Sequence, residues 1–202
     1  MAKPFILGLT GSIGMGKSTV SQMFRDAGVA VWDADSTVHR LYSKGGKAVR
    51  RISAIRPEAV FDGQVSRDAL KIWIAEDPTA LEQIEAQVHP LVAEARFDFL
   101  EDAEAAGRTL VVLDVPLLFE TKGDRLVDAV LVVTAPPEIQ RARVLARPGM
   151  TEDQFQAILA KQVPDAEKRD RADYVIESVE LEPTRAAVMA LIDRLKTRVG
   201  HA

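Results

Sequence analysis

Eight residues near the amino terminus, Gly11-Ser12-Ile13-Gly14-Met15-Gly16-Lys17-Ser18, constrain this chain more than any other stretch. An apolar run from Phe5 to Leu9 leads into them through Thr10. Val20, Met23, Phe24 and Ala27 follow at helical spacing. The pattern G-x-x-x-x-G-K-[ST] in this setting predicts a buried strand, a glycine loop and a helix. Glycines let the backbone wrap closely enough for successive N–H groups to face one anion, and the helix N-terminus adds positive potential. Gly28 falls where a helix end wants a left-handed residue, and Val29 to Trp32 reads as a second buried strand ending at Asp33.

The rest of the chain divides by pattern. From Ser36 to about Ala106 the strand signal fades. Helical patterning covers Asp68 to Ala75, Thr79 to Gln87 and Pro90 to Ala106, with Asp77-Pro78 and His89-Pro90 as breaks. Strand signals return in Thr109 to Val115 and Asp128 to Thr134, dense in Val and Leu without polar alternation, as in a parallel sheet covered on both faces. Pro137 to Lys168 is charged, helical and broken at Arg147-Pro148-Gly149 and Val163-Pro164, which suits two short helices on a hinged flap. A short strand at Asp173 to Glu177 and an amphipathic helix at Pro183 to Arg198 close the chain. The expected fold is therefore α/β, a helix-flanked parallel sheet of the P-loop NTP hydrolase and nucleotide-kinase kind, with a helical insertion and a lid.

At 202 residues and 47% hydrophobic content, the chain suits one core with insertions. It has no cysteine, so disulfides and thiolate chemistry are excluded and any metal must bind through oxygen or His. The net charge of -4 gives no basic field for nucleic acid or an anionic membrane. No stretch approaches about 18 apolar residues and nothing reads as a signal peptide, so the expectation is a soluble cytoplasmic protein without nucleic-acid or membrane partners.

The loop implies a bound nucleotide. Lys17 is placed to bridge the β- and γ-phosphates of ATP, and the Ser18 hydroxyl to reach Mg²⁺. A GTPase would carry an Asn-Lys-x-Asp motif, absent here, and an ATP-driven motor would pair acids on a strand where Asp114 stands alone. A small-molecule kinase needs a helical acceptor site and a lid, and both patterns are present. Asp33 and Asp35 follow the second strand at the sheet edge where ligands bind, and in extended chain they would point to one side. One carboxylate there can orient an attacking hydroxyl and the other hold a water of the Mg²⁺ shell, or either can simply cap the next helix. Asp114 is either a metal-side acid or a buried acceptor. Leu117, Leu118 and Phe119, taken singly, read as core. His89 stands at a helix boundary, where a structural role is commoner than a catalytic one. Arg141, Arg143 and Arg147 are expected on a helix after the strand at Asp128 to Thr134, with Arg143 and Arg147 four apart and so on one face, where they suit a phosphoryl group or an adenine ring; the plain alternative is a solvated basic face.

In this order the motifs resemble the dephospho-coenzyme A kinase family: Leu9-Thr10-Gly11 with the loop, Asp33-Ala34-Asp35, Asp62-Gly63 with Arg67, His89-Pro90-Leu91, and Val115-Pro116-Leu117-Leu118-Phe119-Glu120. Arg143 with Arg147, Gly149-Met150-Thr151, Gln162, Glu167-Lys168-Arg169 and Ala172-Asp173-Tyr174-Val175-Ile176 continue it over nearly the whole chain. The resemblance implies a five-stranded parallel core and transfer of the ATP γ-phosphoryl group to the 3′-hydroxyl of dephospho-coenzyme A. It implies a nucleotide core over 1–35, 107–136 and 166–202, an acceptor domain over 36–106 and a lid over 137–165. Gly11 to Thr19, Arg143 and Arg147 would hold the nucleotide; Lys17, Asp35, Asp33 and Arg143 would serve catalysis; Asp35, His89, Pro116, Leu117 and Leu118 would meet the acceptor; Ser18 and Asp33 would face Mg²⁺. The protein would be a monomer or weak homo-oligomer. Alternatives are another small-molecule or nucleoside monophosphate kinase, or a non-catalytic P-loop binding module. Ser12 stands where the family usually has a second glycine, and Glu177-Ser178 replaces the common Asp-Asn, which leaves the adenine contacts there unassigned.

Overall fold

The computed structural model describes residues 3–199. They form two compact units, one of 3–32 with 102–199 and one of Asp33–Glu101.

The first unit is built on a five-stranded sheet. Its strands are β1 (Phe5–Thr10), β2 (Ala30–Asp33), β5 (Leu110–Asp114), β6 (Ala129–Thr134) and β7 (Tyr174–Glu177), in the order β2-β5-β1-β6-β7. β1 pairs in parallel with β5 and β6, and β6 with β7. Every residue of β5 and β6 is buried, which is why their sequences lack polar alternation. Helices α1 (Lys17–Asp26) and α9 (Leu181–Val199) pack together on one face, and Phe24, Leu9, Leu131 and Leu195 are among the residues buried between them and the sheet. Gly28, at φ 76, ends α1 in a left-handed turn in which the Val29 N–H donates to the Phe24 carbonyl at 3.0 Å. Between β6 and β7 lie three helices, α6 (Pro137–Leu145), α7 (Glu152–Leu159) and α8 (Asp165–Asp170), where the sequence suggested two. Five parallel strands flanked by helices are what the sequence led one to expect.

The second unit is helical with one small ribbon. It contains α2 (Ala34–Tyr42), α3 (Lys47–Ile55), the antiparallel strands β3 (Val60–Phe61) and β4 (Gln64–Val65), α4 (Arg67–Glu76) and most of α5 (Ala80–Ala105). Ile52, Leu70, Trp73, Ile84 and Leu91 anchor its separate apolar cluster. The break expected at His89-Pro90 does not occur, because α5 runs through Pro90 without interruption. Pro90 and Ala86, four residues earlier, are both exposed, so the carbonyl that loses its partner can be hydrated and the helix need not end there.

Candidate active site

The glycine loop is buried from Gly11 to Met15 apart from a half-buried Ile13, while Ser18 and Thr19 are exposed at the start of α1. A side chain at Gly11 would meet the Val133 carbonyl oxygen at 2.6 Å, and one at Gly16, where φ is 91, would strike Ser178. Gly11 therefore needs the small size of glycine, and Gly16 its backbone freedom as well. The N–H groups of Lys17 and Ser18 open α1 and have no intrahelical partners, which leaves them available to an anion.

Lys17 is not free-standing. Its Nζ donates to Asp114 Oδ1 at 2.5 Å, and Asp114 is only 2% exposed. The sheet explains the encounter, since the register sets Asp114 beside Leu9, two residues before the loop begins. Ser18 and Asp114 are hard oxygen donors, and hydroxyl and carboxylate suit Mg²⁺, which takes few protein ligands and completes its shell with water and phosphate. Among the described residues there is no cluster of three or more His, Asp or Glu that would hold a metal unaided.

Arg143 of α6 donates through Nη1 to the Ser178 carbonyl at 2.7 Å and through Nη2 to that of Val179 at 3.2 Å. The same Nη1 lies 3.5 Å from where a Gly16 side chain would begin, so Arg143 and the loop are neighbours. Arg147 does not join it on a shared helix face. α6 ends at Leu145, and Arg147 is exposed in the turn beyond, because a residue preceding proline disfavours helical backbone. Arg141 pairs with Glu152 instead.

The acids after β2 are also arranged differently from expectation. Asp33 caps α2, its Oδ1 accepting from the Ser36 N–H at 2.7 Å, and the helix begins at once with Ala34. Asp35 is thus an exposed first-turn residue and not half of an extended pair; with about 100° of turn per residue the two do not point to one side. Asp33, Asp35 and the exposed His89 belong to the second unit. Pro116, Leu117 and Leu118 belong to the first. The Pro116 carbonyl accepts from Thr10 Oγ1, Leu118 is buried against Val130 and Val132, and Leu117 is exposed.

Pattern reading gave no individual role to two glutamines and one buried ion pair. Gln140 and Gln162 both bond the Ile13 peptide, and Lys168, fully buried, lies 2.9 Å from Glu120 Oε1. That contact is an ion pair without good hydrogen-bond alignment. Glu120 Oε1 also accepts from the Val163 N–H at 2.9 Å. Burial works to raise the Glu120 pKa, but the Lys168 ammonium together with its own and the Val163 backbone N–H groups outweighs it and holds the carboxyl below its ordinary value.

A glycine loop between a parallel strand and a helix, with its lysine against a buried strand-end acid and an α6 arginine beside it, defines a P-loop kinase. The family model described as dephospho-CoA kinase matches residues 5–182. The chain belongs to the dephospho-CoA kinase family and is an ATP-dependent kinase. It is 55% identical to the dephospho-CoA kinase of Cereibacter sphaeroides over 96% of this chain and 97% of that one. Its identity to the dephospho-CoA kinase of Ruegeria pomeroyi is also 55%, over 98% and 99%. The crystal structure of TT1252 from Thermus thermophilus matches with a TM-score of 0.83 and 36% identity, over 96% of this chain and 99% of that one.

Proposed function

We propose that this protein transfers the γ-phosphoryl group of ATP to the 3′-hydroxyl of dephospho-coenzyme A, giving coenzyme A and ADP. The observation that carries the reading is the near-full-length kinship with dephospho-CoA kinases. In it, Gly11 to Thr19 cradle the phosphates through backbone N–H groups, and Lys17 leaves Asp114 for the β- and γ-phosphates, where its charge stabilises the transferring group. Mg²⁺, bound with the nucleotide, neutralises charge on the phosphates. Ser18 and Asp114 have the oxygen donors to hold it, and Asp33 would support it from the end of β2. Arg143 neutralises phosphate charge from the lid side, with Arg147 nearby in sequence.

Asp35 serves as the acid that orients the acceptor hydroxyl and takes its proton, within an acceptor domain over 36–106 that includes His89. Pro116, Leu117 and Leu118 complete the acceptor surface, and of these Leu117 has the exposure to do so. Residues 137–165 form the lid. No helix among the described residues is long and apolar enough to cross a membrane. We take the protein to be a cytoplasmic enzyme, monomeric or weakly self-associating, and its charge of -4 gives no basic field for nucleic-acid or membrane partners.

Mass spectrometry after incubation with ATP, Mg²⁺ and a panel of acceptors tests the assignment. Dephospho-coenzyme A should gain one phosphoryl group at the ribose; preference for a different acceptor would refute the substrate. ADP release that ignores every acceptor would refute the kinase reading. Asp35→Asn should lower kcat by about 10²- to 10⁴-fold with ATP affinity and Tm little changed, because Asp33 and not Asp35 is the helix cap.

A further inference from the structure

Ile13 is the third residue of the glycine loop, and both of its backbone polar groups are taken by side-chain amides from the segment between β6 and β7. Its N–H donates to Gln162 Oε1 at 3.1 Å, and its carbonyl accepts from Gln140 Nε2 at 2.8 Å. Gln140 is buried on α6, where it also lies against Gly14. Gln162 follows α7 and is fixed by its neighbour, since the Val163 N–H is held by the Glu120 carboxylate, itself paired with the buried Lys168.

We propose that Gln140 and Gln162 are positioning residues for phosphoryl transfer, clamping the Ile13 backbone so that the remaining loop N–H groups point at the nucleotide phosphates. Backbone donors stabilise developing charge only when they are oriented beforehand. The loop is ill-suited to hold itself, because Gly14 and Gly16 sit at φ 78 and 91 and glycine lacks the side chain that would restrict it. One glutamine must present its oxygen and the other its nitrogen, so one residue is fixed through both of the peptide groups that flank it. Glu120 and Lys168 act one step further out by anchoring the chain that carries Gln162.

This inference rests on the nucleotide-loop reading, and one experiment on the full-length protein separates the two. ADP and ATP affinities are measured by calorimetry for wild type, Gln162→Leu, Gln140→Leu and the double variant, with KM for dephospho-coenzyme A and Tm recorded alongside. Each single variant should weaken nucleotide affinity about 5- to 10-fold, the worth of one hydrogen bond, and leave the acceptor KM within about twofold. The double variant should be little worse than the worse single one, because either loss frees the same residue, Ile13. Gln162 is only half-buried, so Gln162→Leu keeps the test valid if Gln140→Leu does not fold. Unchanged nucleotide affinity in folded Gln162→Leu, or losses that multiply in the double variant, would overturn the clamp. Wild-type protein that binds no nucleotide would overturn the loop reading itself, and the clamp with it.

Discussion

In the unit that carries the glycine loop, two ion pairs are taken into the interior, Lys17 with Asp114 and Lys168 with Glu120. In the helical unit, Lys44 with Asp62, Lys47 with Glu94 and Lys71 with Asp68 all stay in water. Burying two charges costs about as much desolvation as their attraction returns, so interior pairs are poor sources of stability. What they fix is position. The first unit uses its pairs to place a lysine and to anchor the chain at Val163, while the second is held by its apolar cluster around Ile52, Trp73 and Leu91 and uses charge for solubility.

The largest effect should come from Lys17→Ala, which removes the charge aimed at the transferring group. We expect kcat to fall by about 10³-fold or more, measured by coupled ADP release. The interior pairing adds a second consequence. Tm should fall too, since Asp114 is left buried without its partner, and Lys17→Ala/Asp114→Asn should recover Tm but not turnover. Recovery of neither would mean that Asp114 matters to the fold apart from Lys17.

Glu120→Gln should cost about 3–5 kcal/mol in chemical denaturation at neutral pH by stranding Lys168. The pH dependence follows from the sign of the shift. The folded pKa of Glu120 lies below its unfolded value near 4.3, so the carboxylate's contribution is complete above that value and is lost as pH falls through the lower folded one. The gap between wild type and Glu120→Gln should therefore narrow below about pH 4. The smallest effect is expected in the other unit, where Lys47→Ala should leave Tm and kcat unchanged within error because Lys47 and Glu94 are solvated. A clear loss there would break the contrast between the units.

Sequence carried the first unit further than the second. Strands such as Leu110–Asp114 and Ala129–Thr134 are buried on both faces, and so appear as uninterrupted apolar runs. Gly28 marked the end of α1 because its backbone is left-handed. α3 went unread, although Ala48 and Ile52 share its buried face, and the β3–β4 ribbon is too short for a two-residue period to show. Its Asp62-Gly63 turn, both residues at positive φ, was the available signal. Pro90 misled because a proline on an exposed face interrupts less than its reputation suggests. At the candidate site the glycine loop was explicit, but the Gln140 and Gln162 contacts depend on residues more than a hundred positions away, and no local spacing encodes them.

The Lys17–Asp114 pair has a bearing on what the empty loop admits. With the ammonium matched by a carboxylate, Lys17 adds little net positive charge at the loop, and an anion there is met by the backbone N–H groups and by Arg143. A bare anion that drew Lys17 away would strand Asp114, 2% exposed, in a medium that punishes lone charge. A polyphosphate arriving as a chelate carries its own cation and leaves both interior charges accompanied. A preference for the chelate over the naked anion would then be set by the need to trade partners rather than by attraction alone.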